Sequence, residues 1–133
     1  IGKANIIAEG NKILFLSLGT KLDVIKKVAK RLKQNKNLTT TIIDMRFAKP
    51  LDEDVLLARI PNHDIIVTIE DGAMGGFAAQ INNFIFANNL QHQKQVKNFK
   101  LPDFFQDQAS PEEMYKQAKL DDDSIYQSLA KIL

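Results

Sequence analysis

Residues 64–69, Asp-Ile-Ile-Val-Thr-Ile, constrain the fold of this chain more than any other segment. The run is almost unbroken in apolar character. Pro61-Asn62 precede it and Glu70-Asp71-Gly72 follow it. Such a run offers no polar face to water, so it reads as a strand buried on both sides, as in a parallel sheet covered by helices. The rest of the chain has to supply neighbouring strands and two covering layers.

It does so in alternation. "NIIAEGNKILFLSLG" reads as a short strand, a Gly10-Asn11 turn and a longer strand from Lys12 to Leu18, a hairpin that sets one antiparallel strand beside the sheet. "TKLDVIKKVAKRLKQNKN" is a helix with Leu22, Ile25, Val28, Ala29 and Leu32 on one face and lysines mostly on the other. "LTTTIIDM" is a β-branched strand. A short helix follows, with Asp52 as its N-cap and Glu53 and Asp54 in its first turn, and Pro61-Asn62 stops it. Gly72 to Gly76 turn into a helix carrying Phe77, Ile81, Phe84 and Ile85, and "QVKNFKL" is the last strand. Ser110-Pro111-Glu112-Glu113 signals another helix start. In the final helix Asp121 caps, Leu120 staples onto Ile125, and Ile125, Leu129 and Ile132 form the apolar stripe. Strands alternating with helices imply an α/β layered fold around a mostly parallel sheet. The 133 residues suit one domain, 1–133, with neither repeat nor linker. The chain opens at Ile1 in text that reads like the middle of a protein, so a piece of a longer protein is expected.

Composition narrows the chemistry. A net charge of +2 gives no footing for nucleic acid or a membrane surface, and no apolar run spans a bilayer. The absence of cysteine excludes disulfides and thiolate metal sites. The lysine-rich helix has no interleaved aromatic residue to stack a base, so it reads as a solvated face. Asp121 to Asp123 lack the calcium-loop spacing, and His63 and His92 have no nucleophile or carboxylate arranged around them. Arg46 and Lys49 flank a strand end, where such residues mostly pair with acids. The turn "EDGAMGG" at 70–76 lies where α/β proteins bind ligands, and Gly72, Gly75 and Gly76 could cradle an anion. Its spacing matches neither the dinucleotide nor the phosphate-loop pattern, and two adjacent carboxylates would repel a phosphate. Asp71-Gly72 with Asn82-Asn83 does not match the diphosphate anchor of thiamine enzymes, because Glu70 stands where glycine is needed and Asn82 comes too early. The glycines are therefore expected to turn the chain and let the helix start pack closely.

Longer motifs carry a resemblance. "IDMRFAKPLDEDVL" resembles the Asp-x-Arg-x-x-Lys-Pro-Leu-Asp segment of the C-terminal domain of transketolase-like thiamine diphosphate enzymes. "VTIEDGAMGGFAAQI" and "LPDFFQDQASPEEMYKQAKLD" are similar to segments of one branch, the 1-deoxy-D-xylulose-5-phosphate synthases, and "IGKANIIAEGNKILFLSLGT" resembles the entry to their third domain. Asp71 stands where that branch has Glu, Ala78 and Ala79 replace small residues, and Gln80 replaces a frequent His. The resemblance implies a three-layer α/β/α sandwich with a five-stranded mixed sheet. It implies a parent transferase that condenses pyruvate with D-glyceraldehyde 3-phosphate, releasing carbon dioxide, on the way to isoprenoids, thiamine and pyridoxal phosphate. Thiamine diphosphate and magnesium carry that chemistry in the first two domains, whose motifs are not in this chain, so no catalytic, cofactor-binding or metal residue is expected here. The implied location is the bacterial cytoplasm or a plastid.

The third domain of such enzymes buttresses a homodimer. By that resemblance Met74, Gly75, Gly76, Phe77, Phe84, Phe104 and Phe105 are expected at a domain or subunit contact. Two other readings are open: the C-terminal domain of a 2-oxo-acid dehydrogenase β-subunit docking a partner acyltransferase, against which "LPDFF" and "SPEEMY" argue, and an independent anion- or nucleotide-binding domain using the Gly72 turn.

Overall fold

The computed structural model describes residues 3–19, 22–46, 50–70, 76–100 and 121–133. In chain order the elements are β1 (Asn5–Ala8), β2 (Lys12–Leu18), α1 (Leu22–Lys36), β3 (Thr40–Asp44), α2 (Glu53–Arg59) continued by a 3₁₀ turn (Ile60–Asn62), β4 (His63–Glu70), α3 (Phe77–Ala87), β5 (Gln95–Lys100) and α4 (Asp122–Ala130). The Ser110 helix start, the Leu120 staple and the Leu-Pro-Asp segment lie outside the described residues.

The five strands form one sheet in the order β1-β3-β2-β4-β5. β1 is antiparallel to β3, and every other pairing is parallel. On β4 and β2, Ile13, Phe15, Ile65, Val67 and Ile69 meet α1 and α4 through Ile25, Val28, Leu32, Ile125, Tyr126 and Leu129. On the opposite face Leu14, Leu16, Leu18, Ile43 and Ile66 meet α2 and α3 through Leu56, Ile60, Phe77, Ile81, Phe84 and Ile85. The three-layer α/β/α reading is thus the observed one, and β4 is buried on both sides as its composition requires.

The expected hairpin between β1 and β2 does not form. β3 lies between them, pairing Asn5 with Asp44 on one side and Ile13 with Thr40 on the other. Residues 9–11 instead step past the start of β3. Three residues suffice, because the two strands flanking β3 are about 10 Å apart and an extended residue spans about 3.4 Å. The step is held by β3 itself. Gly10 N–H donates to Thr41 Oγ1 at 3.1 Å, Asn11 N–H donates to Thr39 O at 3.2 Å, and Thr39 Oγ1 donates to Asn11 Oδ1 at 3.0 Å. Gly10 is required by space: a Cβ there would fall 2.4 Å from Thr40 N and 2.5 Å from the Thr39 carbonyl carbon.

His63 completes this end of the sheet. It is buried, with Nδ1 2.6 Å from Arg59 O and Nε2 2.7 Å from Thr41 Oγ1. A carbonyl oxygen only accepts, so Nδ1 carries a proton, and the ring ties the end of α2 to β3. Glu9 pairs with Arg59 across the same end. His63 is therefore a structural tie, as its surroundings in the sequence suggested.

Both expected caps are present. Asp52 Oδ1 accepts from Val55 N–H at 3.3 Å, and its Oδ2 also accepts from Ala4 N–H at 2.8 Å. Asp121 Oδ1 accepts from Ser124 N–H at 3.0 Å. α1 and α4 are joined at their rims, where Arg31 pairs with Asp123 at 2.8 Å and lies 4.1 Å above the Tyr126 ring. The hydrogen bond that Arg31 donates to Asp123 raises the Arg31 pKa above its ordinary value.

Candidate functional site

In an open α/β sheet the place to look is the carboxyl edge, where neighbouring loops leave in opposite directions. Here β2 leads into α1 on one face, and β4 leads into α3 on the other. β4 ends in Glu70, seven residues before the first residue of α3.

Glu70 decides what the α3 start can do. Its side chain lies on the α3 face of β4 and is 1% exposed. Oε2 accepts from Phe77 N–H at 2.8 Å, and Oε1 faces Ala78 N–H at 3.5 Å. The first free amides of a helix attract an anion, and here the anion is the protein's own carboxylate. An incoming phosphate would have to displace a buried group of like charge. Glu70 therefore occupies the first two amides of α3, Phe77 and Ala78, that an anion would need.

Gly76 is the N-cap residue of α3, with φ 79° and ψ −6°, and it has no side chain to contribute. A Cβ there would meet nothing within 4 Å. The left-handed backbone is the freedom expected of a glycine at this turn, and among the described residues nothing crowds the position. Gly72, Gly75 and Met74 lie outside the described residues. Glu70→Gln should lower stability by about 1–2 kcal/mol, because charge-assisted bonds to the helix amides become neutral ones. Urea denaturation reads this directly, and an unchanged midpoint would mean that the carboxylate is not the cap.

The residues expected at a contact divide sharply. Phe77 is fully buried and Phe84 is 8% exposed, both in the core between α3 and the sheet. Both side chains pack within this domain, and Phe84 also borders a surface groove with Leu51, Gln80 and Asn83. Phe104 and Phe105 lie outside the described residues. The exposed aromatic group on α3 is Phe86, at 65%, which its helical spacing did not single out.

Other candidates have structural partners. Asp44 Oδ1 accepts from the backbone N–H of Arg46 at 3.1 Å, and Arg46 has φ 64°. Met45 is fully buried, and its N–H donates to Ser17 O at 2.8 Å. Asp44 to Arg46 thus turn the chain after β3, and Asp52 caps α2. Lys49 is outside the described residues, and His92 is exposed. Among the described residues no three His, Asp or Glu side chains converge on a metal-sized site. No described helix is long and apolar enough to cross a membrane.

Residues 2–125 match the profile of the family described as "Transketolase, C-terminal domain". A solved split-gene transketolase, described as an inactive β4 tetramer, superposes with a TM-score of 0.80 at 19% identity, covering 98% of this chain and 42% of its own. A transketolase from Pichia stipitis in complex with sedoheptulose-7-phosphate gives 0.63 at 12% identity, covering 98% of this chain and 18% of its own. A variant of the same Pichia stipitis enzyme gives the same values. These likenesses are of fold, and the chain spans less than half the length of each protein.

Proposed function

The chain belongs to the transketolase C-terminal domain family, and from that membership we propose that it is the C-terminal domain of a 1-deoxy-D-xylulose-5-phosphate synthase, a supporting domain without catalysis of its own. The observation that carries the supporting role is the occupied start of α3, where Glu70 takes the Phe77 and Ala78 amides. Thiamine diphosphate does not fit there, since its diphosphate would meet a buried carboxylate in place of donors. The finer assignment to the synthase rests on "LPDFFQDQASPEEMYKQAKLD", residues 101–121.

In this reading the rest of the parent enzyme holds thiamine diphosphate and magnesium, which supply the carbanion chemistry. This domain offers a rigid three-layer body for assembly. The split-gene transketolase with the same fold is described as a tetramer, and a symmetric oligomer is the proposed context here too, in keeping with the general preference for closed symmetry.

The test uses the parent protein and this chain side by side. With pyruvate, D-glyceraldehyde 3-phosphate, thiamine diphosphate and magnesium, the full-length protein should release carbon dioxide and form 1-deoxy-D-xylulose 5-phosphate. The chain alone should turn over neither substrate and show no saturable thiamine diphosphate binding by calorimetry. Two-carbon transfer between ketose and aldose phosphates by the parent would replace the synthase reading with a transketolase. Saturable cofactor binding by the chain alone would overturn the supporting role.

A further inference from the structure

The sheet has two edges of different character. β1 is four residues long, and its register breaks between Ile6 and Ala8. Shortness and a bulge both blunt an edge. β5 is six residues long and runs in unbroken register from Ile65↔Gln95 to Glu70↔Lys100. Among the described residues nothing lies beyond it in the sheet. In a parallel ladder alternate residues bond the inner neighbour, and the others direct N–H and C=O groups outward.

Beside this edge, between β5 and α3, runs a groove of about 430 Å³. Ile85 and Val96 form its apolar floor, and Phe86 and Asn82 stand on its α3 wall. Phe86 is the most exposed large apolar side chain among the described residues. Asn82 Oδ1 is buried and has no hydrogen-bond partner. Asn98, on the strand side, is fixed by Thr68 Oγ1, which donates to its Oδ1 at 2.6 Å. The groove thus joins an apolar floor, amide groups and an open strand edge.

The charge along β5 selects the occupant. Lys97 and Lys100 lie on the strand and Lys94 just before it, with no carboxylate between them. A second copy pairing through the same edge would set lysine against lysine. Lysines alone would serve as a guard against pairing, but a guarded edge gives no reason for an orphaned buried acceptor, Asn82 Oδ1, beside it. We propose that the outer edge of β5 takes an extended, acid-rich segment of a partner protein as a sixth strand, its apolar side chains seated in the groove beside Phe86. Backbone pairing would supply affinity, and the lysines with the groove would supply selectivity.

The probe is a synthetic peptide of about eight residues, a usual strand length, alternating glutamate with isoleucine. Two controls accompany it: one with lysine for glutamate, and one N-methylated at alternate residues to block strand pairing. Titrated into the ¹⁵N-labelled chain, the acidic peptide should shift amide signals confined to β5 and the Phe86 side of α3, and should slow exchange of the outward β5 amides. Each control should bind about tenfold more weakly or worse. Lys97→Glu should invert the charge preference, because isoleucines sharing the Val96–Asn98 groove face turn the glutamates to the Lys97 face, and Phe86→Ser should weaken binding with an unchanged far-ultraviolet spectrum. No perturbation of β5 by the acidic peptide would leave the lysines as a guard and overturn the proposal. Equal binding of the N-methylated peptide would overturn it too, since the edge would then not be paired.

Discussion

Phe77→Ser is expected to unfold this domain rather than to loosen a contact between subunits. The ring is fully buried in the layer between α3 and the sheet. Truncating a buried phenylalanine to alanine costs about 3–5 kcal/mol, and an unpaired hydroxyl adds about 1–3 kcal/mol. Small domains have about 5–15 kcal/mol in total, so most of the stability is at stake. The site also anchors the helix start, because Phe77 N–H is the amide held by Glu70. Phe86→Ser is the matched control on the same helix: its ring is largely in water, and its melt should stay within about 0.5 kcal/mol of the parent. A domain that melts normally with serine at 77 while the parent oligomer dissociates would show that the ring faces a partner.

Gly10→Ala should rank second, with a loss near the upper end of the overpacking range, about 3 kcal/mol. The added carbon would sit 2.4 Å from Thr40 N and 2.5 Å from the Thr39 carbonyl carbon, both backbone. No flexible side-chain tip can move aside. Relief requires β1 and the step at residues 9–11 to lift from β3, breaking the Gly10–Thr41 and Asn11–Thr39 hydrogen bonds. Gly76→Ala differs in kind, since its Cβ has open space and only the backbone angle is strained. Urea melts of the two variants should separate them, with Gly10→Ala much the weaker. Equal, small losses would place the step at Gly10 away from β3.

The elements were legible because each has a strong local signal. The apolar run of β4, the Leu22–Leu32 stripe of α1 and the caps Asp52 and Asp121 all stand where the sequence puts them. The partner of β1 was not legible. Gly10-Asn11 carries hairpin chemistry, while the insertion of β3 between β1 and β2 is decided by contacts some thirty residues away. At the site, the sequence could argue against a phosphate, because two acids precede the turn. It could not show that Glu70 reaches across seven positions to cap α3, since no local spacing rule links a strand-end acid to amides that far along the chain. The resemblance puts Phe77 and Phe84 at a contact, while their helical spacing with Ile81 and Ile85 is that of a core face, and in this domain both rings are buried. Phe86 falls just outside that spacing, and exposure is what its position on the helix dictates.

The step at Gly10 also orders events in time. β1 and β2 are neighbours in the chain yet share no ladder, so the quick local pairing open to adjacent strands is not a native one here. Among the described residues β1 gains its strand partner when Thr40–Asp44 arrives, after α1 has been traversed. Closing that long loop precedes any reward for docking β1, which makes the first strand of the sheet to be synthesised a late one to be secured.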